Sequence, residues 1–196
     1  MSSSSPGAWI RVRRPSEAER LRFLALADAA SFSYVERGAS AEGAPAGYDV
    51  DHNRARLGAG RAVFERAREA LGRWGMFPPG WTRVLQRERS IAVGQSVCVE
   101  FHLLGLWWLN GTRIVYRVDE PRRAGFAYGT LACHVERGEE RFLVEWLADD
   151  SVWYDLRAFP RPKLWAARLA KPVARALQRR FVRESQAALR AAVAER

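Results

Sequence analysis

The 196-residue sequence predicts an α+β protein of the helix-grip kind. In that fold a curved antiparallel sheet of about six to seven strands wraps around a long C-terminal helix, with two helices inserted after the first strand. Three observations predict it. Hydropathy keeps a helical period through residues 59–74, changes to a period of two between Thr82 and Phe159, and turns helical again after Pro162. Short turns join the strand-like segments, which excludes parallel pairing, because parallel neighbours need crossovers of about a dozen residues or more. A sheet with one apolar face must also cover that face, and the long terminal helix is the element able to lie across it. Sheet and helix can then enclose a cavity or pack solid, and element order leaves both open.

Each element has its own signal. Trp9 to Arg13 alternates and reads as a strand. Pro15 and the capping box Ser16-x-x-Glu19 start a helix that runs to about Ala30, with Leu21, Phe23, Leu24 and Leu26 as its apolar residues. Residues 36–47, rich in Gly, Ala and Ser with Pro45, read as a loop. The second helix repeats Ala59, Val63, Ala67, Ala70, Leu71 and Trp74 on one side and pairs Arg61 with Glu65 and Glu69 with Arg73 on the other. Gly75 and Pro78-Pro79-Gly80 close it.

In the sheet region, Val97, Val99, Phe101 and Leu103 share a face opposite Cys98, Glu100 and His102. Asn110-Gly111 predicts a type I′ hairpin into Thr112–Val118, where Ile114, Tyr116 and Val118 share a face. Further strands centre on Phe126/Tyr128/Thr130, Phe142/Val144/Trp146 and Val152/Tyr154/Leu156. Pro160 and Pro162 stop the last one. In the final helix Val173, Leu177, Phe181 and Ala188 form an apolar stripe opposed by Arg175, Arg179, Arg183 and Arg190, with Pro172 placed to start or kink it.

A hydrophobic fraction of 48% with 28% charged residues excludes a disordered or fibrous chain. No apolar run approaches the ~20 residues of a membrane span. The first residues lack the basic and apolar regions of a secretory signal, so 1–8 reads as a short disordered lead to a single domain over 9–196, with a cytoplasmic location. Cys98 and Cys133 have no CxxC spacing and read as small buried hydrophobes in a reducing compartment.

Of the net charge of +10, residues 157–196 carry +9, from 11 basic and two acidic side chains. The body of the chain is close to neutral. The ridge of Arg175, Arg179, Arg183 and Arg190 could dock on an anionic membrane surface at about 1 kcal/mol per residue, or it is a solvated face that aids solubility. The neutral body and the lack of a base-reading motif weigh against a nucleic-acid module.

At Tyr48–His52, Leu57–Gly60, Arg113–Tyr116, Tyr128-Gly-Thr-Leu131 and Gly138-Glu-Glu-Arg-Phe142 the sequence resembles uncharacterised protein family 0548. The likeness covers about residues 47–193. Tyr-Gly-Thr-Leu followed by a His and then Gly-Glu-Glu is its most specific part. Ala132-Cys133 and Pro160 depart from the family pattern, which has Pro-Gly and Ser there. That family is similar to the helix-grip superfamily of START and pollen-allergen-like lipid-binding domains, so the resemblance implies the same fold and, having no assigned chemistry, no mechanism.

The candidates for chemistry are few. His52, His102 and His134 have no second ligand at zinc-motif spacing, so no metal or cofactor is expected. Cys133 and His134, like Glu139 and Glu140, have side chains that diverge if they are strand neighbours, an objection that weakens for Cys133 and His134 if their segment is a turn. The two glutamates read as cross-strand partners for Arg113, Arg117 or Arg141. Gly58-x-Gly60 lacks the rest of a phosphate-loop motif. The aromatic set Phe101, Tyr116, Phe126, Tyr128, Trp146 and Tyr154 is the strongest lead, because large rings with phenolic hydroxyls that need partners suit an apolar pocket with a few polar groups. The expectation is a non-catalytic binder of a hydrophobic, lipid-like or amphipathic small molecule. The alternative is an enzyme using His134 with Glu140 or Tyr128 for acid–base chemistry.

Overall fold

Short turns force antiparallel pairing, and every strand pair in the structure is antiparallel. The computed structural model describes residues 9–43, 46, 48, 50–88, 90–162 and 171–194. The lead expected at 1–8 lies outside them, as does the stretch 163–170 that the sequence assigns to the last helix.

In chain order the elements are β1 (Trp9–Arg11), α1 (Glu17–Ala29), a 3-10 turn at Ala39–Ala41, β2 (Asp51–Ala59), α2 (Arg61–Gly72), β3 (Thr82–Val84), β4 (Ser96–Leu103), β5 (Leu106–Glu120), β6 (Arg123–Thr130), β7 (Glu136–Arg137), β8 (Glu139–Trp146), β9 (Ser151–Ala158), β10 (Arg161–Pro162) and α3 (Lys171–Ala194). The main sheet runs β2-β9-β8-β6-β5-β4-β3, with β1 added beside the start of β5, while β7 and β10 form a separate ribbon. This is the helix-grip arrangement.

Strand β2 separates the two inserted helices, and the hydropathy pattern did not announce it. It is an edge strand in which Ala55 alone is fully buried, so it lacks the apolar alternation that marks a strand in sequence. The capping box at Ser16 and Glu19 is present, and the Glu19 carboxylate also takes both guanidinium nitrogens of Arg13 at 2.9 and 3.0 Å.

Both faces of the sheet are covered. On the concave face α2 contributes Phe64, Ala67 and Leu71, and α3 contributes Phe181, Val182, Leu189 and Val193, to a core shared with Val97, Val99, Ile114, Phe126, Phe142 and Tyr154. The long helix therefore shares this face with α2 instead of covering it alone. On the other face Phe23 and Ala27 of α1 pack with Cys98, Leu109, Leu131 and Cys133. Both cysteines are buried thiols, as expected, and burial pushes the Cys98 thiol far above its ordinary range.

The expected hairpin is displaced. Asn110 and Gly111 lie inside β5, paired with Val99 and Cys98, and neither has positive φ. The chain turns instead at Leu104-Gly105, whose φ values of 54° and 74° are those of a type I′ turn. Gly111 answers a packing need: a Cβ there would lie 2.5 Å from Sγ of Cys133. Asn110 is buried, and its Oδ1 accepts from the Val135 amide at 3.4 Å.

Tyr116 is also displaced. The ladder between β5 and β6 shifts between Ile114 and Tyr116, so Ile114 pairs with Tyr128 on the concave face while Tyr116 pairs with Ala127 on the other. One extra residue at a bulge moves every later side chain to the opposite side.

Candidate functional site

A cavity of about 380 Å³ opens between the sheet and α3. Trp81, Phe101, Leu103 and Trp108 wall one side, Val173, Leu177 and Phe181 of α3 wall another, and Tyr128, His134, Glu136 and Glu140 supply a polar end. The exposed Leu104 stands at its lip.

The six predicted ring positions separate. Phe101 and Tyr128 line this space. Phe126, Trp146 and Tyr154 share the concave face but lie outside the cavity wall. Phe126 sits edge-on to Trp74 at 5.1 Å between ring centres, Trp146 stacks on Phe64 at 6.1 Å, and Tyr154 is fully buried, sharing a 2.9 Å hydrogen bond with Ser185. These positions are filled because α2, the Trp74 that follows it and the middle of α3 pack over them. Tyr116 is on the far face, its hydroxyl 2.7 Å from that of Ser40. Every phenol of the set thus has a protein partner, so their polarity does not require a ligand. The sequence reading overlooked Trp81, Trp108 and Glu136. Trp108 is hidden within the apolar run Leu103–Leu109, and only the turn at Leu104-Gly105 places it in the wall.

The polar end is built by cross-strand pairing. Tyr128 of β6 stands opposite Glu140 of β8, and its phenol donates to Oε2 at 2.7 Å. Burial, opposed by that hydrogen bond and reinforced by the nearby charges of Glu136 and Asp51, pushes the Glu140 carboxyl up to about 7. Burial likewise raises Glu136, with Asp51 adding to the rise and Arg175 opposing it. The phenol of Tyr128 is pushed well above its ordinary range by burial and by Glu140. His134 lines the same end, and its Nδ1 accepts from the Glu136 amide at 2.9 Å.

The arginine pairing expected for Glu139 and Glu140 is absent among the described residues. Glu139 faces the other side, where the Tyr34 hydroxyl donates to it at 2.6 Å, the amides of Gly38 and Ser40 at 2.8 and 3.0 Å, and the Ser40 hydroxyl also donates. Arg113 bonds instead to the carbonyls of Ala27 and Asp28, Arg117 sits near Asp119, and Arg141 binds Asp155 at 2.7 Å. His52 also bonds to Asp155, and His102 stacks on Trp107.

The basic ridge is reduced in the fold. Arg175 grips Asp51 through 2.7 and 2.9 Å contacts, and the Arg190 guanidinium donates to the Arg56 carbonyl. Arg179 and Arg183 are exposed. The stripe itself is rotated: Val173 is 48% exposed, and Phe181, Val182, Ser185, Leu189 and Val193 form the buried face. Among the described residues no helix is long and apolar enough to cross a membrane.

The family model described as a domain of unknown function, DUF1990, matches residues 33–188. The chain belongs to this family. A relative named UPF0548 protein from Deinococcus radiodurans is 39% identical over 184 residues, covering 88% of this chain and 92% of its own. A second UPF0548 protein, from Dictyostelium discoideum, is 36% identical over 150 residues, 70% of this chain and 69% of its own. Among solved structures, a hypothetical protein from Helicobacter pylori matches with a TM-score of 0.54 at 15% identity, covering 73% of this chain and 86% of that one, which shows the shared fold.

The segments that resemble family 0548 acquire physical roles. Gly129 leaves room for the Tyr34 ring, which a Cβ there would strike. Oγ1 of Thr130 accepts from the Gly138 amide at 2.9 Å, and its hydroxyl lies 2.6 Å from that of Ser33. Tyr128 and Glu140 form the polar end of the cavity, and Glu139 holds residues 34–40 on the opposite face. The signature therefore joins the cavity wall to the loop behind it.

Proposed function

We propose that the protein binds a hydrophobic or amphipathic small molecule in the cavity between the sheet and α3. The observation that carries this reading is the cavity itself. Its volume of about 380 Å³ lies within the usual range of ligand sites, and mostly aromatic and aliphatic walls surround a few convergent polar groups. Native mass spectrometry of protein purified without detergent tests it, together with calorimetric titration of decanol. A co-purified small molecule, or saturable decanol binding that Leu177→Trp abolishes by filling the space, is the expected result. An empty protein that takes up no decanol, or binding indifferent to Leu177→Trp, overturns it.

A second reading keeps the cavity and adds acid–base catalysis. It is favoured by a Glu140 carboxyl raised to about 7, bonded to Tyr128 with His134 on the same wall, since a general acid or base works best near the ambient pH. Conversion of the co-purified molecule by the wild type, lost in Glu140→Gln or His134→Ala while binding persists, supports this reading. Binding without conversion by the wild type refutes it.

A further inference from the structure

We propose that the ligand of this cavity is an amphipathic cation, an apolar body carrying a protonated amine that Glu136 and Glu140 receive. This rests on the reading of the cavity as a ligand site and adds the chemistry of the head group. The argument starts from charge. The protein carries +10 overall, yet the carboxyl groups of Glu136 and Glu140 line its cavity. One oxygen of Glu140 accepts from Tyr128; among the described residues the carboxylate of Glu136 has neither a hydrogen bond nor an ion pair.

The surrounding groups offset that charge only in part. Asp51 adds negative charge nearby, and Arg175, whose positive charge opposes it at Glu136, is held by Asp51 through two contacts. Arg137 also borders the cavity, but it is exposed and forms no ion pair with Glu136, its neighbour in β7, where successive side chains point to opposite sides. His134 uses Nδ1 as an acceptor, and the Tyr128 phenol is committed to Glu140. An anionic head would place a third negative charge beside two carboxyls. A neutral head would leave the Glu136 carboxylate without a directly bonded counter-charge among the described residues, which is costly for an enclosed carboxylate.

A protonated amine resolves both, and the walls suit it. Trp81, Phe101, Trp108, Tyr128 and Phe181 present aromatic rings around the space, and ring faces attract cations. Trp81 already receives one, the Arg180 guanidinium 4.7 Å from its ring centre. The raised Glu140 carboxyl supplies a further consequence. Below about pH 7 this group holds a proton, so an ammonium must displace that proton to solvent on binding, and affinity falls as pH falls.

Calorimetric titration with decylamine, decanol and decanoate at pH 8 and pH 6, on the wild type, Glu136→Gln and Glu140→Gln, tests the proposal. Expected at pH 8 is decylamine affinity about tenfold or more above that of decanol, with decanoate weakest. The preference shrinks several-fold at pH 6, and either Gln variant weakens decylamine far more than decanol, bringing the two to a similar level. Should a variant fail to fold by circular dichroism, the wild-type pH comparison and the three-ligand ranking still decide. Decanol or decanoate binding as tightly as decylamine, or an amine preference indifferent to pH and to both variants, overturns the cation while leaving the cavity as a ligand site. If none of the three probes binds, the ligand-site reading falls and the cation with it.

Discussion

Glu139 and Glu140 are adjacent in β8 and serve opposite faces of the sheet. Glu139 gathers the hydroxyls of Tyr34 and Ser40 and the amides of Gly38 and Ser40 on the outer face, and Glu140 takes the Tyr128 phenol inside the cavity. The Glu139 carboxylate is saturated by donors, whereas Glu140 has a single donor among the described residues, the Tyr128 phenol. The alternation of a strand makes this division of labour possible in two consecutive residues.

Removal of the Glu139 carboxylate leaves two amides and two hydroxyls without their acceptor in a buried setting. Glu139→Ala is expected to destabilise the fold by about 3 kcal/mol, read from urea denaturation. Residues 34–40 should also lose protection from hydrogen exchange before the rest of the sheet. Unchanged protection there would show that the loop is held by other contacts.

The raised Glu140 carboxyl makes stability depend on pH. Its folded-state value of about 7 lies above the ordinary 4.5, so the folded state binds the proton more tightly than the unfolded state. The associated stability is present in full below about pH 4.5 and is lost as pH rises through 7, a change of about 3 kcal/mol at most. Glu140→Gln should therefore flatten the stability curve between pH 5 and pH 8. Parallel curves for wild type and variant would contradict the enclosure of this group.

Gly111 and Cys133 should be coupled. Gly111→Ala places a Cβ where Sγ of Cys133 lies 2.5 Å away and Cβ of Ala27 lies 3.3 Å away, and is expected to cost about 1–3 kcal/mol. In the double variant with Cys133→Ala the sulfur is gone, and the combined loss should fall short of the separate losses added together. Strict additivity in a urea-denaturation cycle would mean that the backbone, not the thiol, sets the limit at this position.

Leu104 holds φ at 54° although it is branched and 74% exposed at the cavity lip. Leu104→Asn should raise stability by about 1 kcal/mol, because Asn tolerates the left-handed region. If the apolar side chain assists ligand entry, the same variant should bind decanol more weakly than the wild type. A stabilised variant with undiminished decanol binding would confine Leu104 to the turn.

Sequence alone determined the elements whose signals are local. The capping box at Ser16 and Glu19 starts α1, the alternation of Val97, Val99, Phe101 and Leu103 sets the inward face of β4, and short turns force an antiparallel sheet that the C-terminal helix helps to cover. Those patterns depend on residues a few positions apart, so they survive without knowledge of the fold. What only tertiary structure decided involves register and distance along the chain. The bulge after Ile114 turned Tyr116 away from the concave face, a one-residue change that no hydropathy pattern encodes. The hairpin lies at Leu104-Gly105 because Gly111 is needed for close approach to Cys133, 22 positions away in sequence. The polar end of the cavity, with Tyr128 bonded to Glu140 beside Glu136, exists because β6 pairs with β8 while β7 leaves the main sheet to form a separate ribbon with β10. A residue's own side of a strand is local information; the side chain it meets there is set by pairing between distant segments.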